Sequence, residues 1–403
     1  MSARILVTGA SVAGNTAAWW LVKHGFTVDV VERAPAFRDG GQNVDVRGNA
    51  REVLRRMGLE ERAFQRSTHE RGTDWVDEDD DVVARFEADD SDTDSGPTAE
   101  LEIRRGDIAR IIYDAVRERA AFRFGDRIEG IEQDTSGVDV RFESGQQARY
   151  DLVVVAEGVG SHTRELVFPG ENEPRWMDLT IAYFSIPGQP GDSPYARQYN
   201  TVDGRGATLK RSLDGMLGAY LGIQKKPEGE NEWSVEQQRR FIEEQFAGDA
   251  WEIPRILEAM RQTDDFYFDV LRQVHMKRWS NGRIVLTGDA AWCPTPLTGI
   301  GTSLAMVGGY VLAGELASEQ AHEMTRAAAD PAPAFAAYER VMRPFVKEGQ
   351  NLPKIVPRLL WPHSEIGVTL MRGAMHLAST PVVKKIIDNG FARDASHIDL
   401  PDY

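Results

Sequence analysis

The chain has 403 residues, 41% of them hydrophobic, and a single cysteine, Cys293. That length suits roughly two to three domains with a large buried core, and one cysteine excludes an internal disulfide. A formal charge of −16 argues against general affinity for nucleic acid or anionic lipid. No apolar run reaches the about 18 residues that span a membrane, and the first residues run into a strand pattern with no basic, apolar leader. The expectation is a cytoplasmic protein. The eight histidines form no HExxH or other close pairing, so no metal is expected. G-x-S-x-G does not occur, which removes the common serine hydrolase reading.

The strongest local signal comes first. Ile5–Thr8 is apolar and β-branched, as in a buried strand, and runs into the turn Gly9–Gly14 (GASVAG). A helix-compatible stretch follows over Asn15–His24, then a strand over Phe26–Val31 that ends in Glu32-Arg33. Strand, glycine turn, helix, strand and acid is the order that a dinucleotide site requires. Gly9 permits the tight turn, Gly14 lets the helix approach the strand, and the helix N-terminus offers N–H groups to a pyrophosphate. Ser11 stands where the middle glycine is usual. Glu32 is placed to accept from a ribose.

Residues 42–48 read as a short alternating strand ending at Arg47, either a phosphate or ring contact or a surface arginine. Asn49–Met57 is an amphipathic helix stopped by Gly58. Residues 74–95 carry eleven acids and one base, Arg85, around the strand-like Val82–Phe86; a solvated hairpin is the expectation. Ser91–Pro97 reads as a mobile loop. Leu101–Ile103 is a strand, and Arg104-Arg105 opens a helix that runs to about Ala120. Arg105 is the candidate there, since a guanidinium fork holds phosphate or carbonyl oxygens.

Phe122–Phe124, Ile128–Gln133, Val138–Phe142 and Ala148–Tyr150 suggest a small antiparallel meander. Asp151–Ala156 (DLVVVA) then reads as a parallel strand buried on both faces, followed by the loop Glu157–Arg164. From Met177 to Phe268 a separate layer of strands and helices is expected, with strands over Thr180–Ile186, Ala196–Thr201, Ala207–Ser212, Met216–Ile223 and Asp265–Leu271. Its helices fall over Ser234–Phe246 and Trp251–Met260. Tyr199, Arg211 and Tyr220 are the candidates for a substrate wall. A third buried strand, Ile284–Thr287, leads into Gly288-Asp289, the proline-stiffened loop Pro294–Pro296, and Gly299 and Gly301 before a helix to Leu316. Cys293 reads as a packed hydrophobe. After a Pro/Ala linker, Ala327–Pro333, helices are expected over Ala334–Asn351, Ile366–Ala378 and Val382–Gly390.

On these three strand-and-glycine segments the sequence resembles the single-component FAD-dependent aromatic hydroxylases of the p-hydroxybenzoate hydroxylase type (group A flavoprotein monooxygenases). Within them it is most similar to the tetracycline-oxidising and polyketide-tailoring branch. The resemblance covers about residues 1–350. It implies an α/β fold: a Rossmann-like FAD-binding domain with a mixed, mainly parallel sheet, an interleaved sheet-and-helix substrate domain, and C-terminal helices. The implied division is 1–73, 100–176 and 272–326 for FAD, 74–99 and 177–271 for substrate, and 327–403 for the helices. Implied cofactor contacts are Gly9, Ser11, Val12, Ala13, Gly14, Glu32, Arg33, Arg47, Arg105, Glu157, Asp289, Pro296, Gly299, Ile300 and Gly301, with Arg47, Pro296 and Gly299 beside the isoalloxazine.

The resemblance also implies non-covalent FAD and transient reduction by NAD(P)H, NADPH being favoured. It further implies that O2 would add at the flavin C4a and that the resulting hydroperoxide would give one oxygen to an electron-rich ring. The partner is a small aromatic molecule, polycyclic or polyketide-like, and the protein a monomer or homodimer. No acid–base residue is assigned, because the chemistry is borne by the flavin. Glu157 stands where the family has aspartate, and Trp292 where histidine is frequent. Baeyer–Villiger insertion uses the same parts, and a flavin- or antibiotic-binding protein on this fold is the non-enzymatic alternative. Trp251–Pro254 matches half of a flavin halogenase signature, but Asp249 replaces its first tryptophan.

Overall fold

A computed structural model describes residues 2–88, 99–213, 215–318, 330–380 and 399–403. The apolar strand Arg4–Thr8 lies inside a six-stranded sheet, parallel to Leu152–Val155 on one side and Thr27–Glu32 on the other. Ile284–Leu286 extends the parallel set beyond Leu152–Val155, and Ser280–Asn281 adds an antiparallel edge. Every residue of Leu152–Val155 and Ile284–Leu286 is buried, as double-sided covering of a parallel sheet demands. Because these strands run the same way, the loops after Thr8, Val155 and Leu286 leave the sheet at one edge.

The helix Val12–Lys23 covers this sheet and packs on Gly301–Ala317, a helix buried almost all round. The two backbones come so close that a Cβ on Gly309 would stand 2.8 Å from the Ala17 nitrogen. The meander is smaller than the sequence suggested. Ile128–Gln133, Val138–Phe142 and Gln147–Tyr150 form it, but Ala121–Phe124 pairs in parallel with Thr27–Glu32 at the edge of the large sheet. A parallel partner needs a long connection, and the chain between Thr27–Glu32 and Ala121–Phe124 supplies one that ends in the helix Arg105–Val116.

A second sheet of seven strands runs in the order Tyr267–Gln273, Arg175–Pro187, Met216–Gln224, Arg205–Arg211, Ala196–Asn200, Gly72–Val76, Val82–Glu87. One face packs on the helices Val235–Phe246 and Ile253–Gln262 through Phe184, Leu209, Leu221, Ile242 and Ile256, among others. Ser234 and Gln237 close a capping box at the start of the first of these helices. The acidic stretch forms the expected hairpin, Gly72–Val76 with Val82–Glu87, and Glu78–Asp81 and Glu87 are exposed, with one exception to solvation among the described residues. Asp74 is fully buried and takes both Arg85 nitrogens, at 2.7 and 2.9 Å, with Arg197 at 3.4 Å.

The ribbon Asn43–Asp45 with Glu102–Arg104 joins the two sheets. The helices Ala332–Gly349, Val356–Leu360 and Glu365–Ala378 follow, the first starting within the proposed linker. Ser91–Pro97 and Val382–Gly390 lie outside the described residues. Among the described residues no helix is long and apolar enough to cross a membrane.

Candidate functional site

A cavity of about 930 Å3 runs from the Gly9 turn, along the edge of the parallel sheet, to the uncovered face of the seven-stranded sheet. At its first end the glycines are sterically compelled. Gly9 has φ +96°, and a Cβ there would lie 2.4 Å from the Ala156 carbonyl oxygen. A Cβ on Gly14 would lie 1.9 Å from the Gly9 oxygen, so Gly14 supports the turn from behind and does not line the cavity. The helix that starts at Val12 has no side-chain cap and no acid in its first turn among the described residues, which leaves an anion-binding N-terminus facing the cavity. Glu32 reaches the rim of this turn, where its carboxylate accepts from the Ala10 and Ala34 N–H groups, both at 2.9 Å.

The loop after Val155 is organised by Glu157. One oxygen accepts from the Ser161 hydroxyl at 2.7 Å and the Thr163 N–H at 2.9 Å, and the other from the Thr163 hydroxyl at 2.5 Å. The longer side chain thus closes its own loop and caps the helix His162–Val167. Buried Arg164 then ties that loop to the third segment by donating to the Ala290 carbonyl at 3.1 Å.

In the third segment Gly288 has φ +59°, and a Cβ there would press on the Ala13 methyl at 2.7 Å. Asp289 follows directly. Burial pushes its carboxyl up to about 6, opposed by the Arg105 guanidinium. Buried Thr295 holds φ +79°, a region that costs a non-glycine residue on the order of 1–3 kcal/mol. Gly299, at φ +69°, precedes the helix Gly301–Ala317, whose N-terminus also lacks a side-chain cap among the described residues. The Arg47 N–H donates to the Ser303 hydroxyl at 3.2 Å, and its guanidinium pairs with Asp45 at 2.9 Å. Cys293 is buried, its thiol donates to the Arg272 carbonyl at 3.6 Å, and burial raises its pKa well above the ordinary value. Trp292 packs on Trp279 with ring centroids 4.5 Å apart, inside the core.

Of the sequence candidates, Gly9, Ser11, Val12, Ala13, Glu32, Arg33, Arg47, Arg105, Glu157, Asp289, Pro296, Gly299, Ile300, Gly301 and Tyr220 line this one cavity. Tyr199 and Arg211 do not. Tyr199 points to the helical side of the sheet, stacked on Trp251 at 5.3 Å, and Arg211 is exposed on that same side of its strand. Both are one residue out of phase with cavity-facing neighbours, Gln198 and Lys210, because strand side chains alternate.

Several lining residues went unseen in the sequence. The cross-strand register puts Tyr267, Tyr183, Tyr220, Thr208, Gln198 and Trp75 in one transverse row over six adjacent strands. All six face the cavity. Tyr183 and Tyr220 meet edge to face at 5.1 Å, and the Tyr220 hydroxyl accepts from the Asn43 N–H at 2.9 Å. Beside this row Lys210 is clamped between Glu102, which it contacts directly, and Glu70 at 3.5 Å. Burial and the neighbouring Glu102 drive Glu70 up to about 8, against the pull of Lys210. Asp269, next to the tyrosines, is likewise raised by burial despite Arg272 and Arg105. The missing signal was the phase of each strand relative to its neighbours.

Compelled glycines around two open helix N-termini, with the Glu32 carboxylate beside the first turn, fit a bound dinucleotide, and an aromatic row crosses the same cavity. Together they define a dinucleotide-binding protein of the doubly wound class. The chain belongs to the family described as FAD binding domain, whose model matches residues 2–331; it is an FAD-dependent monooxygenase. It is 33% identical to FAD-dependent monooxygenase asL4 of Sarocladium schorii, covering 99% of this chain and 98% of that one. It is also 33% identical to monooxygenase CTB7 of Cercospora beticola, over 99% and 97% of the two chains. Among solved structures, tetracycline destructase Tet(51) superposes with a TM-score of 0.81 at 29% identity over 100% of both chains.

Proposed function

We propose that this flavoprotein uses NAD(P)H and O2 to hydroxylate a fused-ring aromatic molecule. The observation that carries the reading is the continuity of one cavity from the Gly9 turn to the tyrosine row. Bound FAD would supply the redox chemistry and the activation of oxygen. Gly9–Ala13 and Glu32 would hold its adenosine diphosphate end, and Asp289 a hydroxyl of its ribityl chain. The open N-terminus of Gly301–Ala317 would favour negative charge on a ring bound beside it. Arg105 lines the same cavity as Asp289 and Asp269, and its charge offsets theirs.

The chamber's shape favours a large flat substrate. Its polar-aromatic row crosses six strands, a span of roughly 24 Å at about 4.8 Å per strand. The similar Tet(51) structure carries the name of a fused-ring antibiotic in its own description, which points the same way. The sheet and its helices would shield the reaction from water, a requirement for oxygen transfer over wasteful decay.

The test is the visible spectrum of FAD-loaded protein before and after anaerobic NADPH, followed by oxygen uptake with fused-ring phenols. Bleaching of the flavin band and substrate-stimulated oxygen uptake are expected. A band that persists with both NADPH and NADH, with the candidate phenols present, would overturn NAD(P)H as the reductant.

A further inference from the structure

One wall of the chamber comes from a residue outside the FAD-binding match. Trp361 follows the short helix Val356–Leu360, beyond the family boundary at residue 331, yet it lines the same cavity as Gly9 and Asp289. Its seat is unusual. Gly222 and Gly206 face each other directly on adjacent antiparallel strands, both on the cavity side of the sheet. A Cβ on Gly222 would stand 2.9 Å from the indole nitrogen, and one on Gly206 3.0 Å from it. Strand interiors disfavour glycine unless something needs close access to the backbone. Here the indole takes that access.

The segment bearing Trp361 is fastened on both sides. The Leu360 carbonyl accepts from the Asn200 amide at 2.8 Å, the Pro362 carbonyl from the Gly204 N–H at 3.1 Å, and the His363 carbonyl from the Asp203 N–H at 3.2 Å. The ring itself packs against the buried Met177, Leu179, Ile181 and Tyr183 group. Its Nε1 is buried and has no hydrogen-bond partner among the described residues. The backbone is therefore pinned while the indole is held by shape alone. That combination suits a wall whose bulk, and not its polarity, does the work.

We infer that Trp361 is a specificity-determining residue: its indole, laid in the Gly206–Gly222 slot, sets how many fused rings the chamber accepts. The inference rests on the proposed substrate chamber. It gives opposite expectations for substitutions on the two sides of one contact. Trp361→Ala removes the wall. Gly222→Ala inserts a methyl where the indole nitrogen lies and drives the ring into the chamber. Trp361→Phe keeps a flat apolar wall and loses only an unpartnered N–H.

The experiment is equilibrium dialysis of the FAD-loaded proteins with phenol, 2-naphthol and 2-hydroxyanthracene as one-, two- and three-ring probes. Flavin content and melting temperature serve as controls for folding. In Trp361→Ala the affinity for the three-ring probe relative to phenol should rise about tenfold, in Gly222→Ala it should fall, and in Trp361→Phe it should stay within about twofold. An unchanged ratio in a flavin-replete Trp361→Ala protein would overturn the inference, as would failure of every probe to bind wild type and variant alike. NADPH consumption is followed in parallel. A shifted ring preference without NADPH consumption would sink the oxygenase reading and leave the role of Trp361 standing.

Discussion

The two sheets of this protein obey different rules. The six-stranded, mainly parallel sheet is apolar and buried through its inner strands Leu152–Val155 and Ile284–Leu286. Its functional parts sit in the loops at one edge, where glycine is the residue that fits. The seven-stranded sheet is covered by helices on one face and opens to the cavity on the other. Its functional parts are side chains in mid-strand, and alternate residues of the same strand have unrelated roles. The first region works through close backbone approach, whereas what faces the cavity from the second depends on side-chain phase.

The sharpest way to break that contrast is to put a side chain into the cofactor turn. Gly14→Val must place its branch where only 1.9 Å separates a Cβ from the Gly9 oxygen, so a loss on the order of 4 kcal/mol or failure to fold is expected. Flavin content after loading reads it. On the other sheet, Lys210→Met leaves Glu102 and Glu70 buried without their cation. It should destabilise by about 3–5 kcal/mol in urea unfolding, with partial recovery in Lys210→Met/Glu102→Gln. Asp289→Ala should weaken FAD binding by roughly ten- to hundredfold with little change in the melting temperature of the apoprotein, measured by flavin titration.

A pH series separates the sheets further. Glu70 is raised from the ordinary 4.5 to about 8, so between those values the native state holds a proton that the unfolded chain has released. That contribution is present in full below pH 4.5 and is lost as pH rises towards 8. Glu70→Gln should flatten the decline in unfolding free energy across that window; an unchanged slope would place its source elsewhere. The smallest expected effect tests phase. Tyr183→Phe should change the dissociation constant of a phenolic ligand by about threefold, while Tyr199→Phe, on the helical face, should leave it unaltered in the same titration.

Much of the cofactor side was legible in the sequence because its constraints are local. A buried strand followed at once by Gly9–Gly14, or by Gly288-Asp289, announces a backbone that must pass close to something. Glu157 was visible as a departure, but only the structure shows its carboxylate turned back on Ser161 and Thr163. The substrate side was legible as a layer and illegible as a wall. Tyr220 faces the cavity and Tyr199 does not, although both lie in equally plausible strands, since alternation says nothing of which face is covered. Ala121–Phe124 was misplaced for a similar reason: four residues carry no record of their partner strand.

By itself the sequence determined the glycine turn, the buried parallel strands and the acid that ends the second of them, because sterics and burial act over a few residues. The tertiary structure decided the rest. It put Lys210 between two acids from distant segments, aligned tyrosines from three strands, and carried Trp361 back onto two glycines far upstream. Those contacts depend on strand register and chain return, which are settled only when the whole core packs.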